Sequence, residues 1–168
     1  MRERNGIFVR PFLNVTRELI NTACLEANLE IWNDPHNDNL EFARVKVRKE
    51  VIPNLENELG PGIIDALSRS AKIMGEDSDA LDEWATRVIE EIGVNNLEIS
   101  ELVKLPKAIR ARVLRTAIYA AGAPSGSLTA EHLTPVESLV TAWKGQGECS
   151  LPGGVKVSRI SGRISLSK

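Results

Sequence analysis

At 168 residues the chain is long enough for one domain, or one domain with a small appendage, around a true hydrophobic core. Its hydrophobic and charged fractions, 42% and 26%, are ordinary for a globular protein, and no run has the length needed to cross a bilayer. A net charge of −2 gives no bulk-charge reason to bind a polyanion, so any RNA contact has to come from local basic patches.

In chain order, Ile7 to Val9 is an apolar run of strand type before Arg10-Pro-Phe-Leu13. Thr16 is a good N-cap for a helix to about Asn28, with Leu19, Ile20, Ala23, Cys24 and Ala27 as its expected buried stripe and Asn28 as its stop. Cys24 and Cys149 lie in no metal-binding or redox spacing, and Met1-Arg-Glu-Arg leads into no signal-peptide apolar region. The expected compartment is therefore the cytoplasm.

The stretch Trp32 to Arg48 carries the most information. Pro35 fixes its own φ and drives Asp34 towards extended backbone, while Asn37, Asp38 and Asn39 are turn formers whose side chains can bond nearby amides. A rigid elbow is predicted, launching a short basic helix from about Leu40 to Val51 that meets Pro53. Arg44 and Arg48, four apart, share one face of it. Two adjacent guanidiniums suit a phosphate between them, and they equally suit surface ion pairs with Glu41 or Glu50.

Leu55 and Leu59 are expected to face inward on a short helical turn before Gly60-Pro61. From Gly62 to Ile92 the apolar positions keep helical spacing, with Gly75 weakening the middle enough for a bend or for two helices. Gly93 to Asn96 is a loop. Pro106 opens another helix, ending at Gly122, that carries Lys104, Lys107, Arg110, Arg112 and Arg115, either as a solvated face or as an RNA-backbone surface. Thr134-Pro-Val-Glu137 reads as a capping box starting the next helix. After Gly145 the period changes to 2, and Glu148 to Leu151, Val155 to Ile160 and Arg163 to Leu166 predict a three-stranded meander.

No catalytic constellation is present. His36 and His132 lie in no zinc-like spacing and read as a turn residue and a helix-start residue, and no metal site is expected. Asp34 and Asp38 suit Asx turns better than Mg²⁺, which wants more oxygen ligands. Trp84 and Trp143 fall where a core would want them. Trp32, beside the elbow, is the tryptophan placed to approach a base.

The run D-P-H-N-D-x-x-x-F-x-R-x-x-V-R from Asp34 to Arg48, with R-P-F-L upstream, V-I-P-x-L at Val51 to Leu55 and L-P-G-G-V at Leu151 to Val155, resembles the tRNA(Ile)-lysidine synthetase family. The matches run in family order along nearly the whole chain. They depart at Val45, where many members carry Asn, and the family's S-G-G-x-D-S nucleotide loop is absent from this sequence.

The resemblance implies a mainly α fold: a helical domain preceded by the tail end of an α/β nucleotide-binding domain and followed by a small β meander. Residues 1–52 would close the catalytic, PP-loop type domain, 53–145 would form a helical tRNA-recognition domain and 146–168 the meander. It implies an ATP-dependent ligase joining free lysine to the wobble cytidine in the CAU anticodon of tRNA(Ile), with this chain supplying tRNA binding and part of the active-site wall. ATP and Mg belong to the complete enzyme. None is expected to bind this chain alone, which is expected to be inactive without the PP-loop segment. Arg44 and Arg48 would contact phosphate or RNA as the catalytic contribution. Asp34, Pro35, Asn37 and Asp38 would shape the turn, and Arg10, Lys46, Lys49, Lys104, Lys107, Arg110, Arg112 and Arg115 would bind RNA. No membrane partner is implied, and a homodimer is left open. The alternative is a non-catalytic RNA-binding or protein-interaction module derived from that family.

Overall fold

The computed structural model describes residues 3–95 and 97–168; Met1, Arg2 and Asn96, the last residue of the expected loop, lie outside the described residues. The chain divides into two compact units, the first ending at Gly75 and the second running Glu76–Lys168. As the sequence pattern predicts, the fold is mainly α with a small antiparallel sheet near the C-terminus.

In the first unit, β1 (Arg4–Asn5) and β2 (Phe8–Val9) form a two-residue antiparallel ladder. Helix α1 (Arg17–Glu26) starts where Thr16 Oγ1 accepts from the Leu19 amide at 3.3 Å. It stops before Asn28, whose φ of 50° is the left-handed turn that Asn tolerates. The expected burial of its stripe does not occur: no α1 residue is buried, Leu19 is exposed, and Ile20 and Cys24 are half-buried. Leu55 and Leu59 are likewise exposed.

The basic helix begins later than expected and does not end at Pro53. It runs as α2 (Ala43–Lys46), a π turn (Val47–Val51) and α3 (Ile52–Leu59). A proline ring inside an α-helix clashes with the carbonyl four residues back, here that of Lys49. The widened π turn over that carbonyl lets the chain pass Pro53 with its helical course intact. Helix α4 (Ile63–Ile92) is continuous through Gly75, so neither a break nor a second helix forms there.

The second unit holds the core. Strand β3 (Leu97–Glu98) leads into α5 (Ile99–Leu102), then α6 (Lys107–Ala120) and α7 (Ala130–Thr141). Helix α7 starts earlier than expected: Thr129 and His132 form the capping box, and Pro135 lies inside the helix. His132 Nδ1 accepts from the Thr129 amide at 3.1 Å, so a histidine takes the place usually held by Glu or Gln. Strands β4 (Cys149–Ser150), β5 (Lys156–Ile160) and β6 (Arg163–Ser167) form the expected meander, and β3 adds a fourth strand to give the order β3-β6-β5-β4. Positive φ at both Ser161 and Gly162 matches the twist of the β5–β6 hairpin. Leu97, Leu102, Ile109, Val113, Leu114, Ile118, Val136, Leu139, Val155 and Val157 are fully buried between the helices and one face of this sheet.

Candidate nucleic-acid interface

The elbow is built by short-range bonds that follow from its composition. Asp34 Oδ1 accepts from the His36 amide at 2.9 Å and lies 2.9 Å from His36 Nδ1. The amide bond, then the ring contact, hold its carboxyl below the usual carboxylate range. Residues Pro35–Asn37 make a 3₁₀ turn capped by Asp34, so the Asx-turn reading of this segment is what forms. Asn39 Oδ1 accepts from the Glu41 amide at 2.9 Å, and the Asn39 amide side chain donates to Glu41 Oε2 at 3.1 Å.

Two bonds then tie the basic helix back to the elbow. Arg48 donates to the Asn37 carbonyl, and Lys49 pairs with Asp38, whose carboxyl is thereby lowered. Neither Glu41 nor Glu50 forms an ion pair with Arg44 or Arg48 among the described residues. Arg48 is tied to the backbone through one guanidinium nitrogen. Arg44 is exposed, has no bonding partner among the described residues, and lines an open hollow of about 280 Å³ with Asp34, His36, Asn37, Phe42, Ala43 and Val45. His36 and Phe42 stand with ring centroids 6.0 Å apart on this wall.

Val45, where many family members carry Asn, is buried beneath the hollow at 2% exposure. It anchors the helix by packing rather than by an amide contact. Lys46 and Arg10 are exposed, and Trp32 is 79% exposed on the approach to the elbow.

The hollow at the elbow offers the unengaged Arg44 guanidinium, while Asp34 and Asp38 are each occupied by a neighbouring cation or donor. Among the described residues no group of three acidic, His or Cys side chains is arranged to hold a metal ion.

The second basic stretch divides by face. Arg110 is buried, not exposed: it donates to the Leu105 carbonyl at 3.0 Å and to Glu137 Oε1 at 3.0 Å. Its place is structural, and a surface contact with RNA is closed to it. Arg112 bonds Asp82 Oδ1 at 2.6 Å and the Ala108 carbonyl at 3.1 Å, and Lys104 pairs with Glu101. Lys107 and Arg115 are exposed without partners among the described residues. The signal that separates these was in the sequence: Arg110 shares the spacing of Val113, Leu114 and Ala117 and so lies on the buried face.

Sequence reasoning also placed Trp84 and Trp143 in the core, whereas they are 44% and 39% exposed. The core stripe of α4 is Leu81, Ala85, Val88 and Ile92. Trp84 sits at its edge, one and two turns before the charged Arg87 and Glu91, and that polar spacing is the sign of a surface aromatic.

These features define a class: a mainly α module with a small antiparallel sheet and a cationic elbow. Residues 97–164, which contain most of the core and most of the four-stranded sheet, match the family model described as the TilS substrate binding domain. The chain is 43% identical over 169 residues to the tRNA(Ile)-lysidine synthase of Thermobifida fusca, covering 99% of this chain and 52% of that protein. It is 44% identical to the enzyme of the same name from Streptomyces coelicolor, over 96% of this chain and 46% of that one. With the Mycobacterium bovis protein it shares 38% identity over 95% of this chain and 50% of that relative. The chain is therefore related to the tRNA(Ile)-lysidine synthetase family along nearly its whole length, and it spans about half the length of the curated relatives it matches.

Proposed function

We propose that this chain is the tRNA-binding part of a tRNA(Ile)-lysidine synthase and lines one side of that ligase's active site. In the complete enzyme, lysine would be joined to the wobble cytidine of a CAU-anticodon isoleucine tRNA at the expense of ATP, with ATP and Mg²⁺ held by residues outside those described. The observation that supports this reading is the division of labour in the elbow. Arg48 and Lys49 are spent on fixing the turn, and Arg44 is left unengaged over an open hollow. A fixed cation that needs no reorganisation favours an anionic substrate group, such as an RNA phosphate. Asp34, Pro35, Asn37 and Asp38 act by holding that geometry. Lys46, Lys107 and Arg115 are free to add backbone contacts, and Arg10 lies exposed at the surface.

The test is tRNA binding by the full chain across a salt series. Preference for the CAU isoleucine tRNA over other tRNAs, with affinity falling steeply as salt rises, is the expected result. Binding that ignores salt, or none, would overturn the RNA role and leave a protein-interaction module. In the complete enzyme, Arg44→Ala should lower lysidine formation with the fold intact, and unchanged turnover would remove Arg44 from the active-site wall.

A further inference from the structure

Resting on the RNA-binding reading, we infer that the outer face of α4 carries a second contact, a stacking platform for one unpaired nucleotide at Trp84. The site lies outside residues 97–164, the span matched by the substrate-binding family model. Trp84, Arg87, Val88 and Glu91 line an open hollow of about 250 Å³. Their spacing of three, four and seven residues puts them on one side of the helix.

Each side chain is available. The indole is 44% exposed, although Val88 beneath it is buried and helps fix the floor. Arg87 and Glu91 are exposed, are not paired with each other, and have no other partner among the described residues. An exposed indole resting on a packed helix offers a flat π-face to a base. Arg87, one turn on, supplies a cation for the attached phosphate. Glu91, a further turn on, is an acceptor that repels phosphate but suits an exocyclic amino group, as on cytosine or guanine. An open hollow of this size fits a base lying on one surface better than a ligand that must be enclosed.

The experiment compares full-chain wild type, Trp84→Ala and Trp84→Phe for binding to a CAU isoleucine tRNA transcript and to a fully paired RNA hairpin stem. Loss of the platform should weaken tRNA binding roughly 5- to 150-fold while stem binding holds, and Phe should restore most of the loss. Arg87→Ala should reduce the salt slope by about one. Equal affinity of wild type and Trp84→Ala for tRNA, or equal loss for tRNA and stem, would overturn the platform while leaving the RNA-binding reading in place. No RNA binding by wild type would overturn both. As a measurement independent of the Ala variant's folding, a Trp32→Phe/Trp143→Phe chain leaves Trp84 as sole reporter. Its emission should be quenched by a short cytidine oligonucleotide. Unchanged emission at saturating oligonucleotide, or quenching by free lysine alone, would also overturn the proposal.

Discussion

At the scale of single residues, position within the helical period decides which cations can meet a ligand. Arg110 and Arg112 are two residues apart, yet one is buried against Glu137 and the other bonds Asp82 at the surface. Composition alone cannot distinguish them, because a basic run looks the same whichever way it faces. The apolar period can, and it places Arg110 with the core. Glu137→Ala should therefore destabilise the fold by about 2–3 kcal/mol in a urea titration, since it leaves a buried guanidinium with only carbonyl partners. A loss within about 0.5 kcal/mol, typical of ordinary surface substitutions, would show that the pair adds nothing.

The elbow carries a pH dependence of definite sign. Asp34 and Asp38 titrate below their ordinary value of 3.8 in the folded chain. Groups with depressed folded pKa values contribute above the unfolded pKa, and the contribution is lost as pH falls through the folded one. The elbow should thus be intact at neutral pH and loosen only below about pH 4. The His36 amide shift, followed by NMR on acidification, reports this directly. A transition centred well above about pH 4 would overturn the assignment to these two carboxylates.

At the scale of elements, the strongly patterned segments were legible, and prolines misled where they lie inside a helix. The meander, α6 and the Asn28 stop follow from period and turn chemistry, and all three form. Two helix errors came from reading a proline as an end or a beginning. Pro53 is absorbed behind a π turn, and Pro135 sits within α7, where Thr134 Oγ1 bonds back to the Ala130 carbonyl at 2.8 Å. A proline ends a helix only where nothing else accommodates its ring and missing donor. The strand β3, two residues long and far in sequence from β6, had no local signal beyond Leu97-Glu-Ile99.

The L-P-G-G-V segment shows why its glycines are needed. Gly153 has φ of 78°, and a Cβ there would stand 2.7 Å from Pro124 Cδ and 2.9 Å from the Gly122 carbonyl oxygen. Both the backbone region and the space reject a side chain, and the contacted oxygen is backbone that cannot rotate away. Gly153→Ala should cost more than about 2 kcal/mol, and Gly154→Ala, with positive φ but open space around it, should cost less. Equal losses in thermal unfolding would mean that the close approach to Gly122 and Ala123 is not a constraint.

At the scale of the whole molecule, the two units differ in how far each buries its apolar residues. Among the described residues of the first unit, the buried hydrophobic residue is Val45, while Ile7, Phe8, Phe12, Leu25 and Trp32 stand well exposed. The second unit encloses a contiguous core from Ala85 to Ile164. This contrast accounts for the failed α1 stripe: the helical period was read correctly, but a stripe is buried only where the unit supplies a surface to cover it. Local opening free energy rises with buried apolar contact, so amide hydrogen exchange should divide the chain near Gly75. Amides of α6 and β5 should exchange only through global unfolding and those of α1 and the β1–β2 hairpin far faster. Along α4, protection should rise from the Ile63 end towards Ala85 and Val88, although the helix itself is unbroken. Uniform protection along α4, or slow exchange in α1, would mean that the first unit is held in place by burial that its described residues do not provide.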